Sequence, residues 1–381
     1  MLRRIFSDSL YFPLCRFVLF SVAAAAAFNG FYQQVHFREK GMPGYNPPAF
    51  FESTVDGTAS RPYIYRQMIP TIANWLDQAV PGSIKDRLYA RQGKFPTAYI
   101  NAIAASPTAM NKVYFFRYLM VYFLTYLFAF TAVYAMYMLC TELKFSPPAA
   151  VFAPVVFILM LPYIQGAHGS CYDFSELTFF ALAVFVALKF DWWWVAPIAI
   201  LAVWNKESFL AFLPTLYPFI RMRKTRVSSL VAVGTLGLVC LPTYLSIHLK
   251  FAKNPGGTVW FFLPDQIGQL MHPLSLIKLT QEVYGLPMLS ALTIVPAALA
   301  IWTIWTAWPH VPVAFKRHAQ IAAAINVPLY VLFCVPGELR DLSLLYISLL
   351  VVLTINLSKW IVRSEHQTAE ESAPRKVSVS A

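Results

Sequence analysis

The stretch "VFAPVVFILMLPYIQGAHGSCYDFSELTFFALAVFVALK" (151–189) decides the fold. Two apolar runs stand either side of "HGSCYDFSEL" (168–177), and together with the residues before Val151 each approaches the ~20 residues that a helix needs to cross a hydrocarbon core of ~30 Å. In lipid a backbone has no water to bond to, so a spanning run satisfies its amides internally as a helix. The polar decad then lies at one membrane face. Whether His168, Asp173 and Glu176 only finish helices or mark a site depends on which face that is.

The rest of the chain repeats the pattern. Apolar residues make up 58% of 381 and charged residues only 13%, about half the charged share of a soluble domain, and the mean hydropathy is +0.55. Spans are predicted near 14–32, 113–139, 146–166, 174–190, 192–205, 208–221, 228–248, 288–308, 319–336 and 342–362. This is an all-α, polytopic integral membrane protein with about ten transmembrane helices. Residues 1–362 form a single membrane domain, with a large extracytoplasmic loop at 33–112 and a second extracytoplasmic segment at 249–287. The tail 363–381 is polar, poor in aromatics and expected to be disordered. The fifth and sixth spans are short, and Asn205, Lys206 and Glu207 between them fit either a tight hairpin or one broken helix.

Basic residues in short loops set the orientation. Arg3, Arg4, Lys144, Lys189, Arg221, Arg223, Lys224, Arg226, Lys316, Arg317, Lys359 and Arg363 fall on one side when ten spans are drawn. That side is the cytoplasm and holds both termini, in what is expected to be a bacterial inner membrane. The net charge of +12 is thus mainly a topology signal, and nothing resembles a nucleic-acid module. The first span reads as a retained anchor; "SVAAAAAFNG" (21–30) leaves a cleaved leader as the alternative. Five cysteines show no metal-ligand spacing, and Cys171 with Cys334 is the one pair placed to bridge in an oxidising compartment.

On this topology four polar clusters share the outer face: "HGSCYDFSEL", "NKE" (205–207), "PGELRD" (336–341) and the first loop with "FESTVDGTASRPYIYRQMIP" (51–70). Ionisable groups at membrane depth are costly and tend to face a cavity or a partner, so their convergence suggests one outward-facing site. Each has a plainer reading. Asp173 and Glu176 suit an N-cap with its reciprocal partner, and His168 a C-terminal cap. Lys206 with Glu207, and Glu338 with Arg340, suit local neutralisation. Arg340 also suits phosphate, which a guanidinium grips with two parallel donors. In the first loop Glu52, Asp56, Arg61 and Arg66 combine carboxylates with anion-binding cations. Ile69, Ile72, Trp75 and Leu76 beyond them predict a helix lying in the interface. Trp260, Phe261 and Phe262 belong at headgroup level, with a second interfacial helix expected after them.

The layout of a large first outer loop with acidic residues, an interfacial helix and some ten spans resembles the GT-C superfamily of membrane glycosyltransferases. "RPYIYRQMIP", "YDFSEL", "WNKESFL" and "PGELRDLSLLY" are similar to segments of bacterial multispanning proteins related to that group. The resemblance implies transfer of a sugar from a polyprenyl-phosphate donor to a glycan or lipid-linked acceptor at the extracytoplasmic face, with inversion and a carboxylate base in the first loop. Asp56 is the better match for that base and Glu52 the second. Arg61, Arg66, Lys206 and Arg340 become candidates for the donor phosphate. His168, Asp173 and Glu176 become candidates for hydrogen bonds to sugar or acceptor hydroxyls, with Asn205, Glu207 and Glu338 as further substrate-binding residues. No DxD pair occurs and no metal or other cofactor is expected. A carrier or flippase for a lipid-linked saccharide or small anion, an O-antigen-type polymerase, and a scaffold protein without chemistry remain rival readings.

Overall fold

A computed structural model of the protein describes residues 11–39, 47–92, 106–165, 169–257, 259–272, 279–284, 286–289 and 294–371. The apolar runs are helices: α1 (Tyr11–Glu39), then α2 (Pro47–Val55), α3 (Met68–Ala79) and α4 (Gly82–Ala90) within the first loop. The bundle continues through α5 (Lys112–Glu142), α6 (Pro147–Gln165), α7 (Asp173–Lys189), α8 (Val195–Asn205) and α9 (Phe209–Ile220), whose middle turn tightens to a 3₁₀ helix. After α10 (Arg226–Lys250) come α11 (Leu263–Leu270), a hairpin of β1 (Leu279–Val283) and β2 (Leu286–Leu289), α12 (Ile294–Ala307) and α13 (Val313–Phe333). A 3₁₀ turn, Leu339–Leu345, leads into α14 (Tyr346–Glu371).

Five of these helical stretches are long and apolar enough to cross a membrane: Phe12–Gln34, Lys112–Glu142, Pro147–Gln165, Arg226–Lys250 and Leu339–Arg363. Large apolar side chains stand exposed on them and on the shorter α12, among them Phe17 and Val22 on α1, Leu238 on α10, and Trp302 and Trp305 on α12. Such a belt is what lipid tails cover, and it marks an integral membrane protein. The other predicted spans appear as the shorter or more polar helices α7, α8, α9, α12 and α13.

Helix α7 is the axis. Thirteen of its residues, from Asp173 to Ala187, are buried, and it packs chiefly along α5. Between helices in lipid the gain comes from close packing rather than from expelling water. Aromatic stacking supplies much of it here: Phe180 lies flat on Phe212 of α9 with ring centroids 4.1 Å apart, and Phe31 meets Phe174 edge-on at 5.6 Å. The last-turn carbonyl of Pro162 in α6 would be an orphan; Gln34 of α1 donates to it at 3.2 Å.

Several boundaries differ from the sequence reading. Helix α1 runs on to Glu39, past the predicted loop start at 33, because Gln34 is anchored inside. The eighth span, predicted from 288, begins at Ile294, since Leu286–Leu289 pairs with Leu279–Val283 as an antiparallel strand. Tyr284 at that hairpin's turn donates to the Leu159 carbonyl at 2.7 Å and lies over Gly30. A Cβ on Gly30 would sit 2.8 Å from the tyrosine ring, so only glycine admits this contact. Helix α14 continues to Glu371, beyond the predicted start of the disordered tail at 363, because extending a formed helix through "SEHQTAEE" is far easier than nucleating one. Residues 372–381 lie outside the described residues. Cys171 and Cys334 are both free thiols.

Within the first loop α3 forms as predicted and packs on α5. Its inward face is Met68, Ile69, Pro70 and Ala73, while Trp75 is exposed beside Trp204, ring centroids 5.6 Å apart. After the exposed Trp260 and Phe261, the short α11 confirms the second expected helix.

Candidate functional site

The chain between α6 and α7, the break between α8 and α9, the 3₁₀ turn before α14 and the first loop meet in one buried polar network. Its construction starts at the end of α8. Asn205, 1% exposed, accepts from the Ser175 hydroxyl at 2.6 Å and donates to the Tyr172 carbonyl at 3.1 Å. Lys206 then leaves the helix with φ −159° and ψ 129°. Successive side chains of extended backbone project to opposite sides, so Lys206 and Glu207 part company.

Lys206 turns inward to Glu176 at 2.9 Å and Asp341 at 3.5 Å, with its side chain 5% exposed. Glu176 is fully engaged: its second oxygen accepts from Ser208 at 2.7 Å and from Ser343 at 2.9 Å. Glu207 faces Arg66 of the first loop at 3.6 Å. Arg340 donates through Nε to Glu338 at 2.9 Å and through a terminal nitrogen to Asp173 at 3.2 Å. Asp173 also accepts from the Ser170 amide at 2.9 Å and from Gln165 at 3.1 Å. Tyr172 stands at the centre. Its hydroxyl accepts from Arg66 and from Arg340, and its ring lies 4.7 Å from the Arg66 guanidinium, 5.7 Å from the Lys206 ammonium and 5.8 Å from the Arg340 guanidinium.

Burial alone would discourage charge on Lys206 and Arg66. The carboxylates of Glu176 and Asp341 outweigh it for Lys206, and Tyr172 and Glu207 for Arg66, so both hold their protons above their ordinary range. The Tyr63 phenol is raised, first by burial and then by Tyr172 and Glu338. Five carboxylates (Asp173, Glu176, Glu207, Glu338, Asp341) thus surround three cations.

The structure therefore joins Arg66, Asp173, Glu176, Asn205, Lys206, Glu207, Glu338 and Arg340, which the sequence placed on one face. Two local readings are corrected. Asp173 and Glu176 do not form a capping box: Tyr172 is the N-cap residue in helical conformation and makes no side-chain cap bond, and Asp173, already inside the helix, spends its carboxylate on Arg340, Gln165 and Ser170. Lys206 and Glu207 do not neutralise one another. Glu338 and Arg340 do pair. His168 lies outside the described residues.

The first-loop residues stand in separate contacts. Asp56, just past α2, accepts from the Tyr114 hydroxyl at 2.6 Å and the Arg117 guanidinium at 2.8 Å. Its side chain is 38% exposed. Glu52, one turn earlier, approaches the Thr108 hydroxyl at 3.5 Å. Arg61 donates to the Gly256 carbonyl at 2.6 Å, and its own amide donates to the Pro255 carbonyl at 2.8 Å, tying the first loop to the second. Gly256 has φ +90°, and a Cβ there would stand 2.6 Å from the Arg61 carbonyl oxygen.

Tyr172, Asp341, Tyr114 and Arg117 were not singled out in the sequence. Arg117 carried a usable signal, an arginine one turn into an apolar span, with Tyr114 three residues before it on the same helix face. Tyr172 and Asp341 sat beside chosen residues without a distinguishing pattern. No family model, curated protein or solved structure matches the chain.

Proposed function

We propose that the protein is a ten-span membrane glycosyltransferase of the GT-C kind, moving a sugar from a polyprenyl-phosphate donor to an acceptor hydroxyl at the extracytoplasmic face of a bacterial inner membrane. The observation that carries this reading is the setting of Asp56. It is a carboxylate open to solvent, yet fixed by the Tyr114 hydroxyl at 2.6 Å and the Arg117 guanidinium at 2.8 Å. It also belongs to a loop that Arg66 ties to the bundle and Arg61 to the segment after α10.

In the proposed reaction Asp56 takes the proton of the acceptor hydroxyl as that oxygen attacks the anomeric carbon. The bond from that carbon to the phosphate oxygen breaks, and the polyprenyl phosphate leaves with the electron pair. A positioned general base contributes roughly 10²–10⁴-fold. A fixed cation beside the leaving phosphate stabilises its growing charge; Arg61, whose guanidinium bonds a carbonyl rather than a carboxylate, suits this role, whereas Arg117 is already paired with Asp56. Lys206 and Arg340 already hold carboxylates, so a phosphate reaching them has to displace Glu176 or Glu338. The network's part in this reading is to fix the floor on which the sugar sits.

The carrier reading draws support from one feature, the interrupted helix pair α8–α9 with Lys206 at its break, since transporters place their ligands at such interruptions. The test is transfer of radiolabelled sugar from a panel of polyprenyl-phosphate donors to lipid-linked acceptors from the source cell, comparing the parent with Asp56→Asn. Label passed on by the parent and lost in a folded Asp56→Asn protein is the expected result. Transfer surviving the substitution moves the base to Glu52. Absence of transfer, with donor crossing liposomes that contain the parent, makes the protein a carrier.

A further inference from the structure

At the opposite end of α7 the molecule is built differently. Its seventeen residues, at about 1.5 Å rise each, place Lys189 about 25 Å from Asp173. Arg223 donates to the carbonyls of Leu188 and Phe190, which brings the 221–226 turn to this end. There a cleft of about 670 Å³ opens between the end of α9 and the starts of α10 and α13, and Arg221, Arg226 and Arg317 all line it.

Among the described residues no carboxylate pairs with any of these three arginines. The nearby acids are engaged elsewhere, Glu142 with Lys189 and Asp191 with Lys224, each at 3.7 Å. Among the described residues the Arg221 side chain makes one hydrogen bond, to the Lys224 carbonyl at 2.7 Å. Arg226 is the first residue of α10, and Val313 and Ala314 in the first turn of α13 line the same cleft. A helix start is the positive end of its dipole, with amides that no intrahelical carbonyl satisfies. Arg226 at one such start and Arg317 just past the first turn of the other repel that field, Arg221 joins them from the end of α9, and a bound anion offsets the three charges.

The remaining lining is mostly apolar, and two of its side chains are open: Met222 is 66% and Val313 64% exposed. Past the cleft, Val227, Leu230 and Val231 are all exposed on α10, and their i, i+3, i+4 spacing puts them on one face. A small phosphate would leave that strip unused, whereas an amphiphile covers both parts. The basic loops assign this end to the cytoplasm, whose leaflet presents anionic headgroups to such basic pockets.

We propose that this cleft binds the phosphate headgroup of an anionic phospholipid, with an acyl chain laid along Val227, Leu230 and Val231. The inference stands apart from the glycosyltransferase reading. It is tested by native mass spectrometry of the full chain in detergent with added phosphatidylglycerol or phosphatidylcholine. The parent is expected to retain phosphatidylglycerol preferentially, and Arg317→Gln to retain it about fivefold less, at roughly the strength of one basic residue near an anionic surface. The combined Arg221→Gln, Arg226→Gln, Arg317→Gln variant is expected to lose the preference, and Lys144→Gln, a basic loop residue outside the cleft, to keep it. Equal retention of both lipids by the parent, unchanged retention in the arginine variants, or an equal loss in Lys144→Gln would overturn the proposal. Inorganic phosphate that raises the parent's melting temperature and displaces the lipid would make this a soluble-phosphate site and overturn the lipid assignment. Should the triple variant not fold, Arg317→Gln alone decides.

Discussion

The two ends of α7 handle charge in opposite ways. Around Asp173 and Glu176 the ionisable groups are buried and each cation is met by a carboxylate. Around Lys189 the arginines are exposed or half-buried, and among the described residues none is met by an acid. The difference follows from solvation. Taking an ion out of water costs several kcal/mol even after relaxation, so a buried lysine persists only with partners, while an exposed one does not need them. Acid content therefore reports depth here, and an excess of unpaired cations reports a surface waiting for an anion.

The comparison breaks first at Glu176. Glu176→Ala leaves Lys206 with Asp341 alone and should destabilise by about 3–5 kcal/mol, the cost of stranding one partner of a buried pair. Thermal unfolding in detergent measures it. Removing both charges with Glu176→Leu and Lys206→Met should cost clearly less than the single change. Carboxylates hold the Lys206 ammonium above its ordinary range. Its contribution is therefore full below the ordinary lysine value of about 10.4 and is lost only as pH climbs through the raised one. The stability difference between the parent and Lys206→Met should accordingly stay constant from about pH 6 to about pH 9.

Next in size is Gly256→Val. Its φ of +90° and the 2.6 Å approach to the Arg61 carbonyl exclude a side chain without rearrangement, at a cost of about 1–3 kcal/mol. Limited proteolysis should then cut the first loop faster, with the bundle intact. Asp56→Asn should cost under about 1 kcal/mol, since its ion pair is partly solvent-screened, even though the proposed transfer depends on it. Smallest is Lys224→Gln at the other end. Its partner Asp191 lies 3.7 Å away with both side chains exposed, and the melting temperature should not measurably move.

Much of this was legible in the sequence. Apolar run lengths gave the helices, and basic loops grouped the four polar clusters on one side, where eight of the chosen residues do meet. The partners were not legible, for reasons of geometry. One extended residue sends Lys206 and Glu207 to opposite sides. One residue of offset between Asp173 and the N-cap Tyr172 turns an expected cap into a tertiary contact. The strand pairing was not legible because Leu286–Leu289 is apolar enough to resemble the start of a span and Leu279–Val283 lies in the segment where an interfacial helix is expected. What distinguishes it is a contact 254 residues away in sequence, Tyr284 on Gly30.

The break at Lys206 also bears on how the protein enters the membrane. Helix α8, at 11 residues, rises only about 17 Å, short of a ~30 Å core, and it is followed by a lysine that lipid would reject. Synthesis runs from the N-terminus, so Glu176 is in place before Lys206 emerges. We infer that α7 acts as the receptor for its own successor, and that α8 and α9 insert as a pair against a helix already holding the counter-charge. A topology reporter inserted at the break, after residue 207, should then change sides when Glu176 is replaced by alanine, and an unchanged reporter would show that the pair inserts unaided.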